Sequence, residues 1–313
     1  MFQLNLSFTA DTNLSNMIAQ FKAPNMQEKL ESAIERSIEE AVGSAFKARK
    51  TETCGGGCIN DAVLLYGETE SYFVKLNTVT KLEMFIAEAA GLEAMFDTET
   101  IRVPEPIAYG CFEDTAYLIL ESLDLGDQGN WQKMGQQLAQ LHRHTANRFG
   151  WKCDNTIGST PQHNNWTEDW ADFFRDYRIG FQIRLARENG YSFEQADALL
   201  KSIPNILSGH NPEPSLLHGD LWSGNASFLT NGQPVIYDPA CYYGDRETDL
   251  AFSEFFGGFP SDFYQGYRSE WPLAEGYGQR KTLYNLYHVL NHTNLFGGGY
   301  ASSAQQMIWQ LLR

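Results

Sequence analysis

The stretch His218-Gly219-Asp220-Leu221-Trp222-Ser223-Gly224-Asn225 places an aspartate two residues after a histidine and an asparagine five residues after that aspartate. A second acid, Asp238, follows one short expected strand, Pro234-Val235-Ile236-Tyr237. Phosphoryl transfer from ATP uses such a set. One carboxylate accepts the proton of the attacking hydroxyl, while an amide oxygen and a second carboxylate hold magnesium on the nucleotide. The spacing points to Asp220 as the base and to Asn225 and Asp238 as the magnesium ligands. An ordinary carboxylate pKa suffices for that base, because the transition state is loose and proton removal is late. His218 is expected to support the loop through hydrogen bonds. Any single aspartate here is also a good turn or cap residue, so the combined pattern carries the assignment.

Such chemistry needs a second set of residues to grip ATP, and the first half of the chain offers one. Cys54-Gly55-Gly56-Gly57-Cys58 is a turn in which backbone N–H groups can approach a phosphate unobstructed. A tight hairpin would use the same glycines. Lys75 lies on the alternating run Tyr72-Phe73-Val74-Lys75-Leu76, where a lysine can reach the α- and β-phosphates if a helix glutamate holds it. Glu83 and Glu88 both fall on the next helix, and the room needed by the strand-to-helix loop favours Glu88. A strand lysine is also an ordinary solvated residue. Tyr117 to Leu123 runs from an apolar strand into a connector, where the main chain of Glu121 and Leu123 is placed to bind adenine. No G-x-x-x-x-G-K-[ST] run occurs, which argues against a P-loop NTPase.

The elements that must position these residues are legible in outline. Leu30, Ala33, Ile34, Ile38, Ala41 and Val42 repeat at helical spacing from about Met26, and Gly43 stops the helix. Strands are expected through Thr51–Thr53, Ile59–Tyr66 and Glu70–Leu76, then a helix over Leu82–Phe96 and a buried strand over Tyr117–Leu120. Asp124–Gly129 reads as a loop between lobes. Helices are expected over Trp131–His144, Trp166–Asn189 and Thr282–Asn294, the last broken by Gly297-Gly298-Gly299. The fold class is therefore α+β in two lobes of protein-kinase type. Residues 1–25 form an N-terminal extension detached from the fold, 26–123 an ATP-binding lobe of sheet plus helix, and 124–313 a larger, mainly helical lobe for catalysis and acceptor.

Composition narrows the partners. The chain has 313 residues, 42% of them apolar, enough to bury a sizeable core. A formal charge of −16 disfavours nucleic acid, whose phosphates require clustered Lys and Arg. It gives solubility, and an acidic cleft would favour a cationic substrate. No run approaches a membrane span, and the first 25 residues lack the pattern of a secretory signal. Five irregularly spaced cysteines fit a reducing, cytoplasmic setting. His288 and His292 stand four apart on a helix, as a metal pair would, but no glutamate adjoins His288 to complete a zinc-protease pattern. Cys54 and Cys58 bracket the glycines, and Lys75 should lie near. Both influences favour thiolate and so a redox response, by an internal bond or by a bridge to a second chain; small, inert side chains in a tight turn are the alternative.

The chain resembles the fructosamine kinase (ketosamine-3-kinase) family, in the aminoglycoside-phosphotransferase-like branch of the kinase superfamily, over about residues 26–313. The resemblance rests on Phe149-Gly150-Trp151, Asp154 to Gln162, Leu217 to Asn225, Asp238 to Glu247, Phe256 to Pro260 and Leu290 to Tyr300. It implies ATP- and magnesium-dependent phosphorylation of a sugar's third-carbon hydroxyl in a ketosamine, free or on a protein lysine, leading to deglycation. It implies ribulosamines or erythrulosamines ahead of fructosamines. In that setting Trp222 is either a flat wall for the sugar and a cation–π partner for the amine, or a structural loop residue. His288 and His292 would line the acceptor cleft, and Asp249 would pin the catalytic loop. The expected state is a monomer or a weak, redox-linked dimer. Two rival readings are a small-molecule kinase of the aminoglycoside or choline type and a redox-sensing, kinase-like binding protein.

Overall fold

The computed structural model describes residues 24–55 and 59–313, so the expected extension up to residue 23 and Gly56, Gly57 and Cys58 lie outside the described residues. The helical spacing near the N-terminus winds into α1 (Pro24–Val42), with Leu30, Ala33, Ile34 and Ile38 buried. Ala41 and Val42 belong to the exposed last turn instead. Gly43 closes the helix at φ 71°, donating its N–H to the Glu39 carbonyl at 2.9 Å.

A five-stranded antiparallel sheet follows. It is built from β1 (Lys50–Cys54), β2 (Asp61–Tyr66), β3 (Ser71–Thr78), β4 (Pro106–Phe112) and β5 (Thr115–Glu121), in the order β1-β2-β3-β5-β4. Helix α2 (Leu82–Phe96) is inserted after β3. The period of two along β3 separates its faces. Tyr72, Val74 and Leu76 join the core shared with α1, while Phe73 packs on the α2 side. Lys75 shares that second face, opposite Ala62 on β2 and Leu118 on β5.

The chain then leaves the sheet. The expected loop at Asp124–Gly129 contains a two-residue strand, β6 (Leu125–Gly126), which pairs with β10 (Ala226–Leu229) of the second lobe. Helix α3 (Trp131–His142) is capped by Asn130, whose side chain accepts from the Lys133 N–H at 2.9 Å. After the hairpin β7 (Asn155–Ile157) and β8 (Thr160–Gln162), the long aromatic helix starts at Trp170, four residues later than its sequence suggests. Asp169 sets that start by accepting from the Asp172 N–H at 2.8 Å. The helix comprises α4 (Trp170–Phe173), a π-helical turn over Phe174–Ile179, and α5 (Gly180–Glu188). Then come α6 (Ala196–Ile206), α7 (Glu247–Ser253), α8 (Ser261–Glu270), α9 (Tyr277–Phe296) and α10 (Gly299–Leu311). Among these, α6, α8 and α10 were not expected, whereas α7 is the helix from which Asp249 was expected to pin the loop. Among the described residues, no helix is long and apolar enough to cross a membrane.

Short strands aim the chemical residues. β9 (Ser215–Leu217) pairs with β12 (Tyr242–Gly244), and β10 pairs with β11 (Pro234–Ile236). The loop bearing Asp220 and Asn225 runs from β9 to β10, and the one bearing Asp238 runs from β11 to β12. Both loops are therefore held at each end by the same two ladders.

Helix α3, which delivers His142, crosses α8 at paired glycines. A methyl at Gly135 would stand 2.0 Å from the Phe263 carbonyl oxygen, and one at Gly266 would stand 2.0 Å from that of Gln132. Gly135→Ala should destabilise by about 1–3 kcal/mol, read as a lower Tm. Gly278→Ala, where nothing lies within 4 Å, is the matched control and should be neutral or stabilising. Equal Tm values for the two variants would contradict this close crossing.

Candidate active site

Lys75 reaches across the cleft between the lobes. Its Nζ lies 2.6 Å from Glu88 Oε1 on α2 and 2.6 Å from Asp238 Oδ1 on the loop after β11. Glu88 is thus the partner, and Glu83 is exposed. Burial works against the ammonium, yet the charges of Glu88 and Asp238 hold the Lys75 pKa above its usual value. Asp238 has φ 58°, a left-handed conformation uncommon for a residue with a side chain. Such strain persists only where surrounding contacts over-determine it, and the bond to Lys75 is one of those contacts.

The loop bearing Asp220 hangs from Asp249 on α7. Its Oδ2 accepts from the His218 N–H at 2.7 Å, and its Oδ1 from the Gly219 N–H at 2.8 Å. The Nε2 of His142 sits 3.1 Å from Oδ2, and its Nδ1 meets the Tyr267 hydroxyl at 2.8 Å. His142 is therefore a buried brace. Burial opposes charge on Asp249, but the hydrogen bond from His142 and those from the loop hold its carboxyl below the usual range. His218 donates Nε2–H to the Tyr237 carbonyl at 2.9 Å and accepts from the Asp220 N–H at Nδ1. Burial keeps its imidazole below its usual pKa, consistent with a neutral support. Gly219 must be glycine: it has φ 81°, and a methyl there would meet the Ala240 carbonyl oxygen at 2.1 Å. The loops of Asp220 and Asp238 touch at that point.

Asn225 directs its Nδ2 to Asp220, at 2.8 Å from the carbonyl oxygen and 3.1 Å from Oδ2. Its Oδ1 is then the atom available to a cation. Asp238 commits Oδ1 to Lys75 and keeps Oδ2. Two hard oxygens on adjoining loops suit magnesium. Asp220 departs from expectation. Desolvation, aided by Asp238 and Asp249, pushes its pKa up to about 7, against the opposing bond from Asn225.

The remaining expected residues fall as follows. Gly55 follows β1, with open space where a side chain would be. The N–H of Glu121 is donated to the Glu105 carbonyl at 2.9 Å, so only its carbonyl is left for adenine. The Glu121 carboxylate pairs with Arg102, whose own carbonyl accepts from Ile236 on β11. Leu123 is half-buried beside it. Cys54 shares the face of Lys75, since both lie opposite Ala62 in successive register. Lys75 is engaged elsewhere, however, and desolvation with Glu52 raises the Cys54 pKa, the reverse of the thiolate-favouring setting expected. His288 and His292 do not form a metal pair. His292 donates Nδ1–H to the His288 carbonyl at 2.7 Å, and His288 is buried with its ring stacked 3.6 Å from Phe252. The Nδ1 of His288 finds no partner. Trp222 is half-buried, with its ring edge-on to Phe256.

Gln162, noted above only as the end of a stretch that carries the resemblance, donates to the Ala240 carbonyl at 3.0 Å and accepts from the Tyr287 hydroxyl at 2.6 Å. It thereby ties β8 and α9 to the Asp238 loop. Nothing in its local sequence signals this. The raised pKa of Asp220 fixes the sign of a pH effect. A base must be ionised, so kcat/KM for transfer to a hydroxyl should rise through about pH 7 and level above it. A profile flat down to about pH 5 would contradict the desolvated setting of Asp220.

The profile of a family described as fructosamine kinase matches residues 30–313. A probable ketoamine kinase of Synechocystis is 51% identical over 283 residues, covering 90% of this chain and 96% of its own. A chloroplastic protein-ribulosamine 3-kinase of Arabidopsis thaliana is 44% identical over 278 residues, covering 87% of this chain and 85% of its own. A crystal structure from Haemophilus somnus, assigned to the fructosamine-3-kinases, superposes with a TM-score of 0.85 at 35% identity, over 90% of this chain and 97% of that one. An aminoglycoside phosphotransferase solved with AMP-PNP and hygromycin B shares the fold, with a TM-score of 0.57 at 17% identity over 90% and 98% of the two chains. With the lysine, glutamate and two aspartates assembled across one cleft, and relatives aligned over nearly their whole length, the chain belongs to the fructosamine kinase family.

Proposed function

We propose that this chain transfers the γ-phosphoryl group of ATP to the third-carbon hydroxyl of a ketosamine. The observation that carries the reading is the convergence of Lys75, Glu88 and Asp238 beside Asp220 and Asn225, in a chain of this family. Lys75 has a third N–H to offer the nucleotide phosphates, and Glu88 keeps it aimed. The main chain of Glu121 and Leu123, and the glycines Gly55 to Gly57, are the expected contacts for adenine and phosphates. Asn225 and Asp238 would hold magnesium, which neutralises charge on the phosphate oxygens when bound.

Asp220 accepts the hydroxyl proton as the sugar oxygen bonds to phosphorus and the bridging oxygen leaves with ADP. Its raised pKa makes it a stronger acceptor than a solvated aspartate, at the cost of being partly protonated near neutrality. Trp222, two residues on, presents a flat face to the sugar and to the secondary ammonium. His292 lines the same side, whereas His288 is buried against Phe252 with its Nδ1 shielded from solvent, so it supports the acceptor side from beneath. Phosphate at the third carbon becomes a leaving group once the adduct forms its enaminol, so elimination and hydrolysis return the free amine. Relatives that carry the name protein-ribulosamine 3-kinase support ribulosamine as the first acceptor to test.

Asp220→Asn should lower turnover of ribulosyl-lysine by about 10²-fold or more while ATP still binds. Near-normal turnover would remove Asp220 from the role of base. Trp222→Ala should raise the KM for the ketosamine well above any change in the KM for ATP. Equal shifts in both would mark Trp222 as a structural loop residue.

A further inference from the structure

The aromatic surface does not stop at Trp222. Ring centroids step from Trp222 to Phe256 over 5.8 Å and from Phe256 to His292 over 5.3 Å. From His292 they step to Phe296 over 5.6 Å and to Tyr300 over 5.1 Å. His292, Phe296 and Tyr300 are spaced by four residues, which places the first two on one face of α9. The glycine turn before α10 returns the third to the same side.

This is not core packing. Phe256 and Phe296 are 37% and 47% exposed, whereas Phe252, beneath them, is 1% exposed. Single exposed aromatics need no explanation, but a contiguous row that begins two residues from a catalytic base does. The row is uncharged at neutral pH, because burial keeps His292 below its usual pKa and its Nδ1–H is already donated. It therefore offers apolar faces and few hydrogen bonds. The sugar is already assigned to Trp222 at the near end of the row, and a phosphate needs cations that these rings do not supply. What remains is the group attached to the amine. A methylamine adduct ends at Trp222, while a lysyl adduct within a peptide extends along the row.

We propose that Phe256, His292, Phe296 and Tyr300 form a subsite for the carrier of the ketosamine: the lysine stem and an apolar or aromatic residue beside it in a polypeptide. The proposal rests on the ketosamine reading above. It makes the protein a reader of the sequence around a modified lysine, with the sugar held at Trp222 and the carrier held along α9.

The test compares two acceptors on one enzyme preparation: N-ribulosyl-methylamine, and a short peptide bearing ribulosyl-lysine next to phenylalanine. Wild-type enzyme should show the higher kcat/KM for the peptide, chiefly through KM. In Phe296→Ala combined with Tyr300→Ser, the peptide-to-methylamine ratio of kcat/KM should fall about tenfold. The ratio cancels any loss of active enzyme, so poor folding of the variant cannot imitate this result. Phe296→Trp should keep the ratio near that of wild type. A ratio untouched by the double variant overturns the proposal. So does concentration-dependent self-association that the double variant abolishes while the ratio stays the same, because a second copy of the chain would then cover the row. Wild-type enzyme that phosphorylates both acceptors with equal kcat/KM overturns this proposal alone. Wild-type enzyme that phosphorylates neither overturns the ketosamine reading as well.

Discussion

The position of one buried ammonium governs the rest of this molecule. Lys75 is drawn out of water between Glu88 and Asp238, with only 8% of its side chain exposed. Desolvating an ion costs several kcal/mol, and the attraction between partners offsets this only when geometry is good. The two 2.6 Å contacts meet that demand, and they come from three separate elements. The register of β3, the rotation of α2 and the path of the loop after β11 are therefore mutually constrained. A slip of one residue along β3 would turn Lys75 into the core shared with α1 and leave Glu88 without its partner.

A second constraint operates within the larger lobe. The Asp249 carboxylate accepts from two consecutive backbone amides and from His142, so the segment from His218 to Asp220 has little freedom. Gly219 completes the arrangement by letting this loop touch Ala240 without a side chain between them. The same packing that orders the loop removes water from Asp220, and this raises its pKa. Rigidity and basicity at this aspartate thus have one origin, and a change that loosened the loop would alter both.

The aromatic residues of the chain serve two purposes that composition alone does not separate. Phe173, Phe174, Tyr242 and Tyr284 are fully buried and fill the larger lobe. Phe256 and Phe296 carry the same kind of ring into solvent beside the catalytic loop. For the first set, burial of apolar area is sufficient reason. For the second, exposure in a contiguous row is the observation on which the proposed carrier subsite rests.

Much of this was legible in the sequence. The spacing of His218, Asp220, Asn225 and Asp238 pointed to residues that the fold does bring together, because loop length between paired strands leaves few ways to arrange them. The alternation around Lys75 and the helical period of α1 and α3 located the smaller lobe and the start of the larger one, since those helices bury one face and expose the other, while α2 is apolar nearly all round and was legible as a long apolar run. Helices α6, α8 and α10 were not picked out, although Ala196, Leu199, Leu200 and Ile203 of α6 do repeat at helical spacing. Residues of α7 are buried on all sides, which erases the amphipathic period, and the glycines of α8 make sense only against α3. The choice of Glu88 over Glu83 could be argued from loop length, but only the rotation of α2 against the sheet decided it. The pKa of Asp220, the burial of His142 and His288, and the raised pKa of Cys54 were decided by tertiary structure alone. Each depends on which groups surround a side chain and how much water reaches it, and those are properties of residues far apart in the chain.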